Sequence, residues 1–236
     1  MRLLLTRSAR QVSRLFAGSL EQCEYLINWS RRLRYVYVEV PKAACSTIKL
    51  TLQRLELDDR GYTPANKHAR SRSPLLSPLA APRGFLDALA APEYLRFCFV
   101  RDPYSRILAA YLEKLAGDDF ERALRLARLG FSRTPSFKEF LEALTRLGPG
   151  LDIHWARQVD LLKPGIIAYD FVGRFETFTP DFEAVLNRIG RDASWIAEVR
   201  EHGTNASARV AEIAPAERAL IAEIYAEDFS RFGYPI

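Results

Sequence analysis

The segment Val40-Pro41-Lys42-Ala43-Ala44-Cys45-Ser46-Thr47-Ile48-Lys49 follows directly on a strand-like run, Tyr35 to Val40. A strand that ends in Pro-Lys, passes two alanines and opens a helix at Ser-Thr is built to hold a phosphate-like group. The first N–H groups of a helix have no partner inside the helix, and its N-terminus carries partial positive charge. Pro41 closes the strand, Ala43 and Ala44 keep the turn slim enough for close backbone approach, and the backbone amides of about Ala43 to Thr47, Cys45 among them, face the ligand. Ser46 and Thr47 add hydroxyl donors, and Lys42 adds a mobile full charge. A second such place follows Leu95–Val100. That strand-like run ends at Arg101, where a guanidinium can grip a phosphate with two parallel hydrogen bonds. Two anion sites on two strands suit a ligand with two separated phosphate groups. The ATP-binding pattern Gly-x-x-x-x-Gly-Lys-[Ser/Thr] is absent, since no glycine lies between Val40 and Lys49.

A reaction at a bound phosphate-like group can need a proton acceptor, and histidine suits that role near neutral pH. His68, between Lys67 and Arg70, is the candidate base; its competing reading is an ordinary loop histidine. His154, beside Trp155, reads as a packed structural residue, and Glu176 likewise. His202 to Asn205 form a polar loop that either closes over a bound ligand or only connects elements. No metal-ligand spacing exists among the three histidines and three cysteines, so no metal is expected.

The elements that must position these residues alternate. Tyr35–Val40 reads as a buried first strand, with a helix over about Ser46–Leu55. Residues 61–92 hold five of the thirteen prolines and read as a long loop with short helical turns. After Arg101, Asp102 can cap a helix that has Pro103 at its first position. Ile107, Leu108, Tyr111, Leu112 and Leu115 share one face of that helix. Ser136 and Glu139 spell a capping box. Ile166–Val172 is a third strand candidate, a helix starts at Thr179-Pro180, and another runs from Pro215 to about Phe229. Strands alternating with helices predict an α/β fold with a central, mainly parallel sheet flanked by helices.

The chain has 236 residues, enough for one domain with a substantial core, and 48% hydrophobic against 27% charged residues. Its net charge of +5 sits in residues 1–34, which hold seven arginines and two glutamates; the remainder has 27 basic and 27 acidic residues. A basic N-terminal arm, 1–34, therefore precedes a neutral body, 35–236, read as a single domain. The body offers no basic face for nucleic acid. Three readings of residues 1–20 stay open: a surface helix packed on the domain, a membrane-surface helix, and an organellar targeting segment. Three scattered cysteines give no disulfide framework and point to a reducing, cytoplasmic setting, with peripheral membrane contact through residues 1–20 as the variant.

Val-Pro-Lys-Ala-Ala-Cys-Ser-Thr resembles the 5′-phosphosulfate loop of the carbohydrate sulfotransferases. Phe99-Val-Arg-Asp-Pro-Tyr-Ser-Arg-Ile-Leu-Ala-Ala-Tyr111 resembles their 3′-phosphate segment. His154-Trp155 with Gln158, Tyr169 to Thr177, and Tyr225 to Tyr234 are similar to further motifs of the Golgi branch with the chondroitin 4-O- and HNK-1 enzymes. The resemblance covers residues 35–234. It implies a P-loop-like three-layer α/β fold and sulfate transfer from 3′-phosphoadenosine 5′-phosphosulfate to a carbohydrate hydroxyl. By resemblance, Pro41 to Thr47 hold the phosphosulfate, with Lys42 on the leaving oxygen, and Arg101 holds the 3′-phosphate. The chain departs from the family at Ala109, where a serine ligand is usual, and Ser105 is the nearest substitute. Leu162 and Gly165 stand where animal members carry cysteines. A nucleotide-dependent kinase of similar fold and a non-catalytic nucleotide- or glycan-binding protein are the rival readings.

Overall fold

Tyr35–Val38 alternates β-branched and aromatic side chains, and all four are buried, which is the composition of a strand covered on both faces. It is the second strand of the sheet. The computed structural model describes residues 6–16, 19–117, 119–198 and 205–236. Its elements are α1 (Arg7–Leu15), α2 (Leu20–Leu26), β1 (Ile27–Ser30), β2 (Tyr35–Val38), α3 (Cys45–Leu57), α4 (Pro82–Ala90), β3 (Leu95–Val100), α5 (Pro103–Lys114), α6 (Arg122–Leu129), α7 (Phe137–Leu147), α8 (Gln158–Leu162), β4 (Phe171–Arg174), α9 (Phe178–Arg188), α10 (Pro215–Ile224) and α11 (Ala226–Phe232). The strands form one central sheet in the order β1-β2-β3-β4. β1 runs antiparallel to β2, with Ile27 opposite Val38, and β2 runs parallel to β3, with Tyr35 opposite Leu95. The expected α/β class, a mostly parallel sheet flanked by helices, is what the chain adopts.

The described residues fall into two units, one within 1–40, 44–99 and 161–199 and the other within 41–43, 100–160 and 200–236. The first holds the sheet up to Phe99. Phe97 joins Tyr35 and Tyr37, with ring centroids 6.0 and 5.1 Å away, and Phe99 packs on Phe178 and Phe182 at 5.5 and 5.8 Å. On α1, Ala9 and Val12 are buried, and Phe16 after it meets Phe85 of α4 at 6.2 Å. The apolar side of α1 is thus packed within the unit. The preceding residues Leu3–Leu5 and, later, His202–Thr204 lie outside the described residues. In the second unit, Tyr111, Phe137, Phe140 and Trp155 form a ring cluster with centroids 5.2 to 6.4 Å apart. A charged chain adjoins it, in which Arg125 meets Asp119, Glu121 and Asp152.

Local signals were followed closely. Asp102 Oδ2 accepts from the Ser105 N–H at 2.8 Å with Pro103 at the first helical position, and the Ser136–Glu139 capping box forms. Four expectations shift. Within 61–92, Pro82 starts a full helix, α4, because proline at the first turn interrupts no hydrogen bond. The third strand begins at Phe171 rather than Ile166: the N–H groups of Ile166 and Ile167 both turn back to Lys163 O, at 2.8 and 3.0 Å. The last helix breaks at Tyr225, whose hydroxyl donates to Trp155 O at 2.6 Å. β1 lies inside the stretch read as an arm; its Ile-Asn-Trp-Ser sequence shows no alternation, yet all four residues are buried.

Gly173 in β4 lets a ring sit against bare backbone: a Cβ built there would lie 2.4 Å from Phe99 Cε1. Gly173→Ala is expected to destabilise the protein by about 1–3 kcal/mol through overpacking, read as a lower urea midpoint with an unchanged slope.

Candidate active site

The turn between β2 and α3 contains two left-handed residues with side chains, Lys42 (φ 72°) and Ala44 (φ 60°). Each such conformation costs roughly 1–2 kcal/mol, so other contacts must hold it. Ala44 is the N-cap of α3 and has no side-chain acceptor, and the first turn contains no acid. The N-cap side chain therefore gives the opening turn of α3 no hydrogen bond, a setting that suits an anion. The second strand end differs. Asp102 already closes the first turn of α5, which leaves anion contact there to the Arg101 side chain.

Within the second unit, both arginines of the Arg101–Arg106 stretch donate into the turn. Arg101 Nη1 reaches Lys42 O at 3.0 Å, and Arg106 Nε reaches Pro41 O at 3.1 Å. Arg106 is 1% exposed and also donates to Ala156 O at 2.8 Å. Arg101 is 6% exposed; its Nε meets Ser105 Oγ at 3.0 Å and its Nη2 meets Ser207 Oγ at 2.9 Å. Gln158 fixes the Arg101 backbone from both sides, Oε1 accepting from its N–H and Nε2 donating to its carbonyl, each at 2.9 Å. Asp228 in turn accepts from the N–H groups of Gln158 and Val159, at 2.8 and 2.9 Å. Burial pushes the Asp228 carboxyl up, against the pull of Arg106 and those two N–H groups. Lys42 Nζ pairs with Glu113, whose other oxygen takes Lys114 at 3.0 Å. Burial raises the Glu113 carboxyl, but Lys42 and Lys114 outweigh it and hold it below the usual carboxylate range. Ala109 is 1% exposed and offers neither a hydroxyl nor access.

Within the first unit, Ser46 Oγ lies 3.1 Å from His68 Nε2, and His68 Nδ1 lies 3.2 Å from Glu39 Oε1. Glu39 (2% exposed) also pairs with Lys49 (1% exposed), and Lys49 Nζ sits 5.2 Å from the Tyr25 ring centroid. His68 is held by its own N–H to Asn66 Oδ1 at 2.8 Å, and Gln53 of α3 donates to Lys67 O at 2.9 Å. Thr47 supplies its carbonyl to Thr51 Oγ1 at 2.8 Å. Glu39, Cys45 and His68 offer metal-ligand atoms within 4.8 Å of one another, a grouping their spacing did not announce. The Lys49 ammonium already lies against Glu39 and opposes a second cation there. His154, by contrast, is paired with Asp152 at 2.6 Å, and burial holds it below its usual value despite that partner.

The expected site residues thus form two groups: Ser46 with His68, and Lys42 with Arg101 and Ser105. Ser105 supports the Arg101 guanidinium and donates to Asp102 O at 3.1 Å. Sequence reasoning missed Glu39, Lys49, Arg106, Glu113 and Ser207. For Glu39 a signal existed, a lone acid in an otherwise apolar strand run; Ser207 carries none.

Comparisons with known proteins identify relatives of the chain. The chain is 32% identical over 232 residues to carbohydrate sulfotransferase 14 of Homo sapiens, covering 88% of this chain and 59% of that protein. It is 29% identical to carbohydrate sulfotransferase 8 of Homo sapiens, covering 95% and 56%. It is 28% identical to carbohydrate sulfotransferase 11 of Danio rerio, covering 85% and 64%. The chain therefore spans less than two thirds of the length of these curated relatives. No solved structure gives a significant match. The model of the sulfotransferase family matches residues 26–235, nearly the whole of what is folded around the two strand ends, and the chain belongs to that family.

Proposed function

We propose that this protein is an enzyme that moves sulfate from 3′-phosphoadenosine 5′-phosphosulfate to a hydroxyl group of a carbohydrate. The observation that carries the reading is the turn Pro41–Thr47: an uncapped helix start, beside a lysine whose backbone is held by Arg101 and Arg106. The relatives are carbohydrate sulfotransferases, which supports the acceptor class.

Sulfuryl transfer needs an acceptor oxygen in line with the breaking S–O bond and charge stabilisation on the oxygen that leaves with the bisphosphate. Lys42 serves that oxygen. To do so its ammonium exchanges Glu113 for the more highly charged donor. The backbone and hydroxyls of Ala43 to Thr47 hold the phosphosulfate. Arg101 takes the 3′-phosphate, with Ser105 and Ser207 fixing its guanidinium in place of a hydroxyl at Ala109. His68 is the base for the acceptor hydroxyl. These preorganised donors provide the field at the leaving oxygen. We read residues 35–236 as one sulfotransferase-like domain, with β1 of the preceding basic segment completing its sheet. Three free thiols support a reducing, cytoplasmic setting. The packed apolar side of α1 favours the surface-helix reading of residues 6–16 over membrane contact. No helix among the described residues is long and apolar enough to cross a membrane.

Labelled sulfate transfer to a glycan panel is expected for the parent, with a loss of roughly 100-fold or more in Lys42→Ala. Adenosine 3′,5′-bisphosphate is expected to raise Tm more than magnesium-ATP; stabilisation by magnesium-ATP alone would turn the assignment to a kinase. Gln158→Ala frees the Arg101 backbone and should weaken bisphosphate binding by about 1–2 kcal/mol, roughly tenfold in Kd by titration calorimetry.

A further inference from the structure

Glu39 and Lys49 form an ion pair sealed from water, at 2% and 1% exposure. Such a pair is poor value as a stabiliser, because desolvating two charges costs several kcal/mol per ion and an apolar pair of similar volume does as well or better. The arrangement does something an apolar pair cannot. Lys49 occupies Glu39 Oε2 and leaves Oε1 facing His68 Nδ1 at 3.2 Å. The opposite ring nitrogen, Nε2, faces Ser46 Oγ at 3.1 Å. Contacts thus join Lys49 and Glu39 to one side of the His68 imidazole and Ser46, in the first turn of α3, to the other.

We propose that Glu39 is a positioning residue for His68, fixing the tautomer with the proton on Nδ1 so that Nε2 is the proton acceptor. This rests on the reading of His68 as the base. Glu39 stays ionised because Lys49 and His68 together outweigh the burial that would raise it, leaving its carboxyl at about 2. An ionised carboxylate only accepts, so the hydrogen of the Glu39–His68 contact belongs to Nδ1. Lys49 Nζ lies 3.4 Å from the same nitrogen, and an ammonium donating there would enforce the opposite tautomer. Glu39 decides the matter: it is nearer to Nδ1 and takes up the Lys49 charge itself. In the reaction the acceptor O–H bond breaks and its proton goes to Nε2. The acceptor oxygen bonds to sulfur as the S–O bond to the bisphosphate breaks, and Glu39 balances the resulting imidazolium. The proton later leaves to solvent. Ser46, which holds Nε2 in the absence of an acceptor, gives way to the incoming hydroxyl.

The tautomer is read directly by long-range 1H–15N NMR of the imidazole nitrogens at alkaline pH, with His68→Gln identifying the resonances among the three histidines. The parent is expected to show a protonated Nδ1 and a bare Nε2. The double variant Glu39→Leu/Lys49→Met removes both charges at once and leaves no buried ion unpaired. It should lose that tautomer preference and lower kcat on the order of 10- to 100-fold, with donor KM and the bisphosphate Tm shift unchanged. A parent with the proton on Nε2 overturns the proposal whether or not the variant folds. So does a folded double variant that keeps the Nδ1–H form or the parental kcat. A parent that transfers no sulfate to any acceptor refutes the enzyme reading instead, and the tautomer spectrum still decides the role of Glu39.

Discussion

Everything at the second strand end depends on two arginines donating into two consecutive carbonyls. Arg101 and Arg106 bond Lys42 O and Pro41 O, and so hold a lysine in a left-handed conformation that its side chain disfavours. Charge-assisted hydrogen bonds of this kind contribute about 1.5–3 kcal/mol each, enough to exceed the roughly 1–2 kcal/mol of backbone strain. The constraint then spreads outward. Gln158 grips the Arg101 peptide, and Gln158 is placed by Asp228. The His-Trp-x-x-Gln stretch and the C-terminal stretch, remote in sequence, are parts of the same support.

The charge of the body is neutral in sum but ordered in space. From Lys42 a succession of contacts runs through Glu113, Lys114, Asp119 and Arg125 to Asp152 and His154. Between the two ends, each ion has a partner of opposite sign on either side. Replacing one member would leave its neighbours facing like charge in a half-buried setting, where interactions are felt more strongly than in water. The network therefore leaves Lys42 on Glu113, where a stronger anion can take it.

What could be read from the sequence was local. The caps at Asp102 and Ser136 involve partners three residues apart, and β2 and β3 announce themselves by composition. The turn Pro41–Thr47 and Arg101 were legible because residue type and position after a strand carry the chemistry. Contacts reaching far along the chain were not legible. Ser207 lies 106 positions from Arg101, and nothing in a lone serine indicates a guanidinium. β1 lacks alternation because all its residues are buried, and β4 starts late because the 163–167 turn uses the backbone groups that a strand needs. Glu39 stands out in the sequence only as a lone acid in an apolar run, and its role shows once Lys49 and His68 are seen beside it.

The grip of Asp228 on Gln158, across 70 positions, has a consequence for biosynthesis. A ribosome delivers Arg101 and Gln158 well before α11, so the Gln158 and Val159 N–H groups lack their carboxylate partner until residue 228 has emerged. Closing a loop of that length is an entropically late event. Until then, hydrophobic neighbours such as Trp155 and Phe140 wait without the Tyr225 hydroxyl that later ties down the Trp155 carbonyl. Competence to bind an anionic ligand at Arg101 would therefore wait until residue 228 has emerged, and a holdase that recognises exposed aromatics would find its opportunity in that interval.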